Sequence, residues 1–175
     1  MPNILALDIS STAIGWCYLQ DDRAPLAKSI ALGGKADIAA RCAKAQAEVG
    51  LLIAACGSVD CVVIEAPVFQ YANSAIAQCR VAGAVLAELS AHNLAWCEIA
   101  PSVAKRALTG RGDAKKLHML QSAAHYFNQD ALFLEFAERR GVWAAWMNEY
   151  CVYDEHAADA LGLALACAPR VQVVG

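Results

Sequence analysis

The chain has 175 residues, of which 58% are hydrophobic, and a formal net charge of −3. That apolar content excludes a disordered chain, and the length fits one domain. Charges interrupt every apolar stretch short of the roughly 20 residues that span a bilayer, and the net negative charge argues against an indiscriminate nucleic-acid coat.

In chain order, Asn3–Ile9 is a short apolar run with an acid near its end, expected as the first strand. Ser10-Ser11-Thr12 is turn-like. Ile14–Gln20 and Leu26–Leu32 read as two further strands of an antiparallel meander. Ala36–Cys56, rich in Ala and Leu with charges at Arg41, Lys44 and Glu48, has the composition of an amphipathic helix. Asp60–Glu65 is a β-branched run ending on a carboxylate, hence a buried strand. Asn73–His92 is a small-residue helix and Leu94–Ile99 another strand.

Pro101 suits the first turn of a helix, which leaves its N–H unused. Thr109-Gly110-Arg111-Gly112 breaks that helix, and Asp113 is the expected N-cap of Ala114–Phe127. Asn128–Tyr153 is aromatic and acidic and reads as an insert, and His156–Ala168 is a final apolar helix. Strands that come first and then alternate with helices predict an α/β fold, a mixed sheet with helices on both faces. One domain over 1–175 is expected, without internal repeats.

Met1-Pro2-Asn3-Ile4-Leu5 lacks the basic region that opens a signal peptide, so a cytoplasmic protein is expected. The eight cysteines form no Cys-x-x-Cys pair. Cys17, Cys61, Cys97 and Cys167 sit in apolar runs, where cysteine acts as a small hydrophobe, so structural zinc is not expected.

Three features carry chemistry. Asp8 ends the first strand at a small polar turn; as a lone signal it also fits a turn-capping aspartate. Glu65 follows Val62-Val63-Ile64, where an apolar residue is usual, although an edge glutamate facing solvent has the same pattern. His156 and Asp159 lie at i and i+3 and share a helix face. Asp159 also fits a first-turn acid on the helix dipole, with Glu155 as competitor. Together these residues describe oxygen ligands plus one imidazole at a sheet's rim, a donor set that suits Mg²⁺ or Mn²⁺. Two such ions can stabilise both the attacking and the leaving oxygen of a phosphodiester.

A second signal is charge. Pro101 to Leu120 holds Lys105, Arg106, Arg111, Lys115 and Lys116 against the single acid Asp113, a local +4 within a chain of −3. Such a segment fits DNA phosphates, or a solvated surface.

These residues resemble the RuvC-type Holliday junction resolvases. Leu5-Ala6-Leu7-Asp8-Ile9-Ser10-Ser11-Thr12-Ala13-Ile14-Gly15-Trp16 is similar to the family's opening motif, and Ile64-Glu65-Ala66-Pro67-Val68-Phe69 to its second acidic motif, with one residue added before the phenylalanine. Pro101 to Lys116, with Lys105, Gly110, Gly112, Ala114 and Lys116, resembles its basic segment. His156-Ala157-Ala158-Asp159-Ala160-Leu161 resembles its closing motif. The likeness runs to Phe127 and resumes at Tyr153. It departs in the longer 128–153 connection and in Ala104, where valine is common.

The resemblance implies an RNase H-like fold with a mixed five-stranded sheet, a homodimer, and cutting of branched DNA in recombination and repair. It implies two Mg²⁺ per site, replaceable by Mn²⁺, with Asp8, Glu65 and Asp159 as ligands and His156 as ligand or proton carrier. It places Arg80 and Phe69 beside the DNA, Phe69 stacking on an opened base or packing in the core. Trp143 and Trp146 fit packing of the insert or of a partner subunit better than DNA contact. The brevity and small-residue helices suit a phage or mobile-element member. The rivals are a catalytically inactive or RNA-directed nucleic-acid module, and a sugar-kinase-like or actin-like ATPase, which needs a second phosphate loop that is not found.

Overall fold

The computed structural model describes residues 2–20, 23–67, 72–127 and 155–171. Strands β1 (Ile4–Ile9), β2 (Ala13–Leu19) and β3 (Leu26–Ala31) form the meander, and β4 (Cys61–Glu65) and β5 (Trp96–Ile99) extend the sheet. The order is β3-β2-β1-β4-β5. The β1–β2 and β2–β3 pairs are antiparallel; β1–β4 and β4–β5 are parallel. Five helices are described: α1 (Ile38–Cys56), α2 (Ala72–Ala91), α3 (Pro101–Thr109), α4 (Lys116–Tyr126) and α5 (Glu155–Val171). The expected mixed five-stranded sheet with helices on both faces is the observed one.

Because side chains alternate across a strand, β1 feeds two cores. Leu5, Leu7 and Ile9 join Val62, Ile64 and the inner residues of α1 and α2, such as Val49, Val81 and Val85. Ile4 and Ala6 join Val63, Ile99 and the apolar stripe of α5, including Ala157, Leu161 and Ala164, with α3 and α4 closing that side. Asp8 follows the parity of Ile4 and Ala6, so it emerges on the α5 face. Glu65 follows Val63 to the same face.

Local chemistry sets the helix ends. The Asp37 carboxylate accepts the Ala40 N–H at 2.8 Å and caps α1. Pro101 opens α3, and Gly110 ends it in the left-handed region at φ 78°. The expected N-cap at Asp113 is not formed. Its carboxylate is engaged by the Arg111 guanidinium at 3.2 and 3.1 Å, and α4 starts at Lys116 with Lys115 as its cap residue. A lysine side chain has no acceptor; instead the Lys115 N–H is met by Nδ1 of His118 at 3.4 Å. Ala114, expected inside the helix, is buried ahead of it.

Candidate metal and nucleic-acid site

The acidic residues come together at the C-terminal ends of the two central parallel strands. Leu7 pairs with Ile64, so Asp8 and Glu65 stand next in step on adjacent strands. Asp8 is only 6% exposed, the one buried charged residue among those described. The turn after it is held by Ser10, whose Oγ donates to the Ala13 carbonyl at 2.8 Å and accepts the Ala13 N–H at 2.9 Å. Arg41 of α1 ties that turn down by donating to the Ser11 carbonyl at 2.7 Å.

The first turn of α5 completes the cluster. Nδ1 of His156 lies 2.7 Å from Oδ2 of Asp8. Asp159, one turn further along, lines a cleft of ≈ 560 Å³ with Glu65, Gln78, Lys105 and Gly112. Burial, followed by the negative charges of Asp8 and Asp159, pushes the Glu65 carboxyl up to about 8. Burial and Asp8 push Asp159 up to about 6. Lys105 and His156 oppose both shifts. The cluster therefore carries more negative charge than its own cations balance, the condition a divalent cation relieves. Its oxygen donors suit a hard ion.

Gly15 is what lets α5 come so close. It pairs with Asp8 across β1–β2, and a Cβ there would stand 2.0 Å from the His156 carbonyl oxygen. Gly162 does the same between α5 and α3: its Cβ would lie 2.8 Å from the Ala104 carbonyl oxygen. Small residues at 104 and 162 thus set the α3–α5 approach that brings Lys105 to the cleft.

The basic residues divide. Lys105 faces the cleft, and a guanidinium nitrogen of Arg106 lies near Gly112. Arg111 is paired with Asp113, and Lys116 with Glu155, so Glu155 is turned toward α4. Lys115 is exposed. Arg80 is exposed on α2 and does not line the cleft. It sits about 200° round the helix from Gln78, whose Nε2 donates to the Ile9 carbonyl at 2.8 Å at the end of β1. Phe69, Trp143, Trp146 and the 128–153 insert lie outside the described residues.

Gln78 and Gly15 were not singled out from the sequence. A glycine inside an apolar strand signals close backbone approach, and that cue was present at Gly15; an isolated glutamine in a small-residue helix offers none. Also unexpected is the convergence of Cys61, Cys97 and Cys167, whose sulfurs lie within 4.8 Å of one another. The Cys167 thiol, and then that of Cys97, hydrogen-bonds to Cys61 and holds its pKa well below the usual thiol range.

No family profile and no curated protein matches the sequence. Solved structures do match. Thermus thermophilus RuvC superposes with a TM-score of 0.69 at 18% identity, over 97% of this chain and 95% of that one. The chain has the fold of RuvC. T. thermophilus RuvC in complex with a Holliday junction substrate gives 0.73 at 16% identity, over 99% and 97%. The yeast mitochondrial Holliday junction resolvase gives 0.60 at 10% identity, over 94% and 77%. These structures come from a bacterium and a yeast mitochondrion, so they lend no support to a phage origin. No described helix is long and apolar enough to cross a membrane.

Proposed function

We propose that the chain is a divalent-metal-dependent endonuclease that cuts branched DNA as a resolvase, in recombination or repair. The observation that carries this reading is the convergence of Asp8, Glu65 and Asp159, from two strands and a helix, beside a cleft with Lys105 on its wall. Likeness of fold to a protein solved with Holliday junction DNA points the same way.

Asp8, Glu65 and Asp159 would hold two Mg²⁺ ions, with Mn²⁺ able to replace them. Bound ions supply Lewis-acid activation of water and of the scissile phosphate. The chain's own groups do the rest. Asp8 engages Nδ1 of His156, the arrangement that orients an imidazole as a proton carrier. Lys105 offsets phosphate charge, and Gly112 lets the loop backbone approach a strand. Hydrolysis leaves a 5′-phosphate and a 3′-hydroxyl. Incubating the protein with labelled four-way junction, fork and duplex, with and without Mg²⁺, tests the reading; uncut junction with Mg²⁺ present removes it and favours a DNA-binding module.

His156 has a sharper test. His156→Ala should lose most activity at neutral pH. His156→Asp keeps substantial activity if the residue is a ligand, because carboxylate suits Mg²⁺. It loses activity, and with it the imidazole limb of the pH–rate profile, if the residue carries a proton. Wild-type rates in the alanine variant would remove His156 from the mechanism.

The basic segment is checked by salt titration. Lys105→Ala should weaken junction binding and shallow the plot of log affinity against log salt by roughly 0.9, one phosphate contact. Lys116→Ala should do the same once DNA replaces Glu155 as its partner. Unchanged slopes in both variants mean that this face turns away from DNA.

A four-way junction presents two related strands, and one acidic cluster cuts one. We therefore assign a two-fold dimer, joined along the outer stripe of α2. There Ile76 is 52% exposed, Arg80 and Ala87 are exposed, and a Cβ on Gly83 would meet open space. Small residues on this helix would permit close approach: Ala87 is exposed, and Ala77 and Ala84 are half-buried. Light scattering with and without junction DNA decides this; a monomer mass in both leaves a nickase.

A further inference from the structure

The three thiols of Cys61, Cys97 and Cys167 lie at the opposite end of the sheet from the acidic cluster. Cys61 opens β4 and Glu65 closes it, about 13 Å apart on the same face. Cys167 lies eight residues along α5 from Asp159, about 12 Å. The trio is drawn from three elements, two strands and a helix, and its sulfurs all fall within 4.8 Å of one another. Cys167, on α5, is buried, and the two strand cysteines are half-buried, so the group is not sealed off entirely. None of the three is in a disulfide.

Backbone spacing separates the chemistries open to such a group. Cys97 pairs with Val63, which places Cys61 two residues out of step with it. Adjacent strands lie about 4.8 Å apart and two residues rise about 6.6 Å, so the Cα atoms of Cys61 and Cys97 stand about 8 Å apart. A disulfide needs roughly 4.4–6.8 Å. The sulfurs nevertheless converge, and between the two strand cysteines a metal ion spans the gap a disulfide cannot. With a metal–sulfur bond of about 2.3 Å, three thiolates round one ion stand roughly 3.8–4.0 Å apart, which this trio reaches by closing less than about 1 Å. Sulfur donors reject Mg²⁺ and select soft d¹⁰ ions, so the site does not compete with the acidic cluster for the same cation.

We propose that Cys61, Cys97 and Cys167 form a trithiolate site for a thiophilic d¹⁰ metal ion, zinc(II) or copper(I), that clamps the C-terminal half of α5 to β4 and β5. Binding releases the thiol protons and involves no change of oxidation state. The clamp holds the helix that carries His156 and Asp159, at the end remote from them.

The test uses the full chain, reduced and anaerobic, in saturating Mg²⁺. One equivalent of cadmium(II) should produce the ultraviolet thiolate-to-metal charge-transfer band of three sulfur ligands. Carboxylates give no such band, so the acidic cluster cannot mimic it. The band should fall by at least a third in Cys97→Ser and Cys61→Ser, and stay at full height in Cys79→Ser, whose thiol is exposed on α2. Cys61→Ala, at a half-buried position, guards against misfolding: its circular dichroism should match wild type while the band falls. Competition against a chromogenic chelator for zinc(II), and against bicinchoninate for copper(I), identifies the ion; each bound ion should raise the melting temperature of wild type and not of Cys61→Ala. Absence of the band at one equivalent, an undiminished band in Cys61→Ala, or a Cys61–Cys167 disulfide that persists under reductant would each overturn the proposal.

Discussion

Asp8→Asn and Asp159→Asn should each reduce junction cleavage by at least about a thousandfold, roughly 4 kcal/mol of transition-state stabilisation, while junction affinity stays within about twofold. Affinity for DNA comes mainly from phosphate contacts, and neither carboxylate makes one. Cleavage within tenfold of wild type would take the residue out of the metal site. The same cluster makes the metal-free protein sensitive to pH in a calculable direction. Glu65 titrates near 4.5 when unperturbed and near 8 when folded. Between those values the folded state binds more protons than the unfolded state, so stability falls as pH rises from about 4.5 to 8. Asp159 adds to the fall between 3.8 and about 6. Glu65→Gln should flatten the upper part of that slope and raise the melting temperature at pH 8, by about 2–4 °C for each kcal/mol of relieved strain. Mg²⁺ should do the same to wild type. A melting temperature indifferent to pH across this window would mean that the carboxylates do not share one field.

Gly15→Ala should damage the protein more than any other single methyl group added to it. The added Cβ falls 2.0 Å from the carbonyl oxygen of His156 and 2.2 Å from its carbon. Those are backbone atoms of the first turn of α5 and cannot rotate aside. The helix must shift, at a cost of about 1–3 kcal/mol of overpacking, and His156 and Asp159 shift with it. Cleavage should therefore fall by at least a hundredfold, since a displacement of about 1 Å at reacting groups has that effect. Gly83→Ala, whose Cβ meets nothing within its own subunit, should raise the stability of the subunit fold instead, as alanine does in a helix. Equal melting temperatures for Gly15→Ala and wild type would show that α5 does not lie on β2 as described.

Much of the acidic cluster was legible because each acid interrupts a pattern. Asp8 and Glu65 follow runs whose period demands an apolar residue, and His156 and Asp159 share a face by helical spacing alone. The sheet was legible for the same reason: strands buried on both sides read as continuous apolar runs. What stayed hidden depends on contacts between distant segments. The N-cap at 113 is not formed because the helix starts only at Lys116, and the Asp113 carboxylate is engaged by Arg111 instead. Gln78 matters through the Ile9 carbonyl, 69 residues away. The thiol trio has no ligand spacing because each sulfur comes from a different element. Glu155 competed with Asp159 on sequence; in the structure Asp159 lines the cleft, whereas Glu155 pairs with Lys116.

The contact between Asp8 and His156 closes a loop of 148 residues, and the helix that makes it follows every other described element in the chain. A contact so distant in sequence carries the largest loop-closure entropy and is expected to form late. During synthesis, β1 to α4 emerge and can pair before α5 exists, leaving Ala6, Cys17 and Val63 exposed on one bare face of the sheet. The ribosome-bound chain can then hold a sheet together yet has no helix to bring Asp159 to Glu65. On the proposed function, no cleavage is expected of the nascent chain until translation has passed the last described helix, and fragments ending before Glu155 should bind chaperones rather than cleave DNA. Ribosome-bound chains arrested on either side of α5 would show this directly, and cleavage by the shorter one would contradict it.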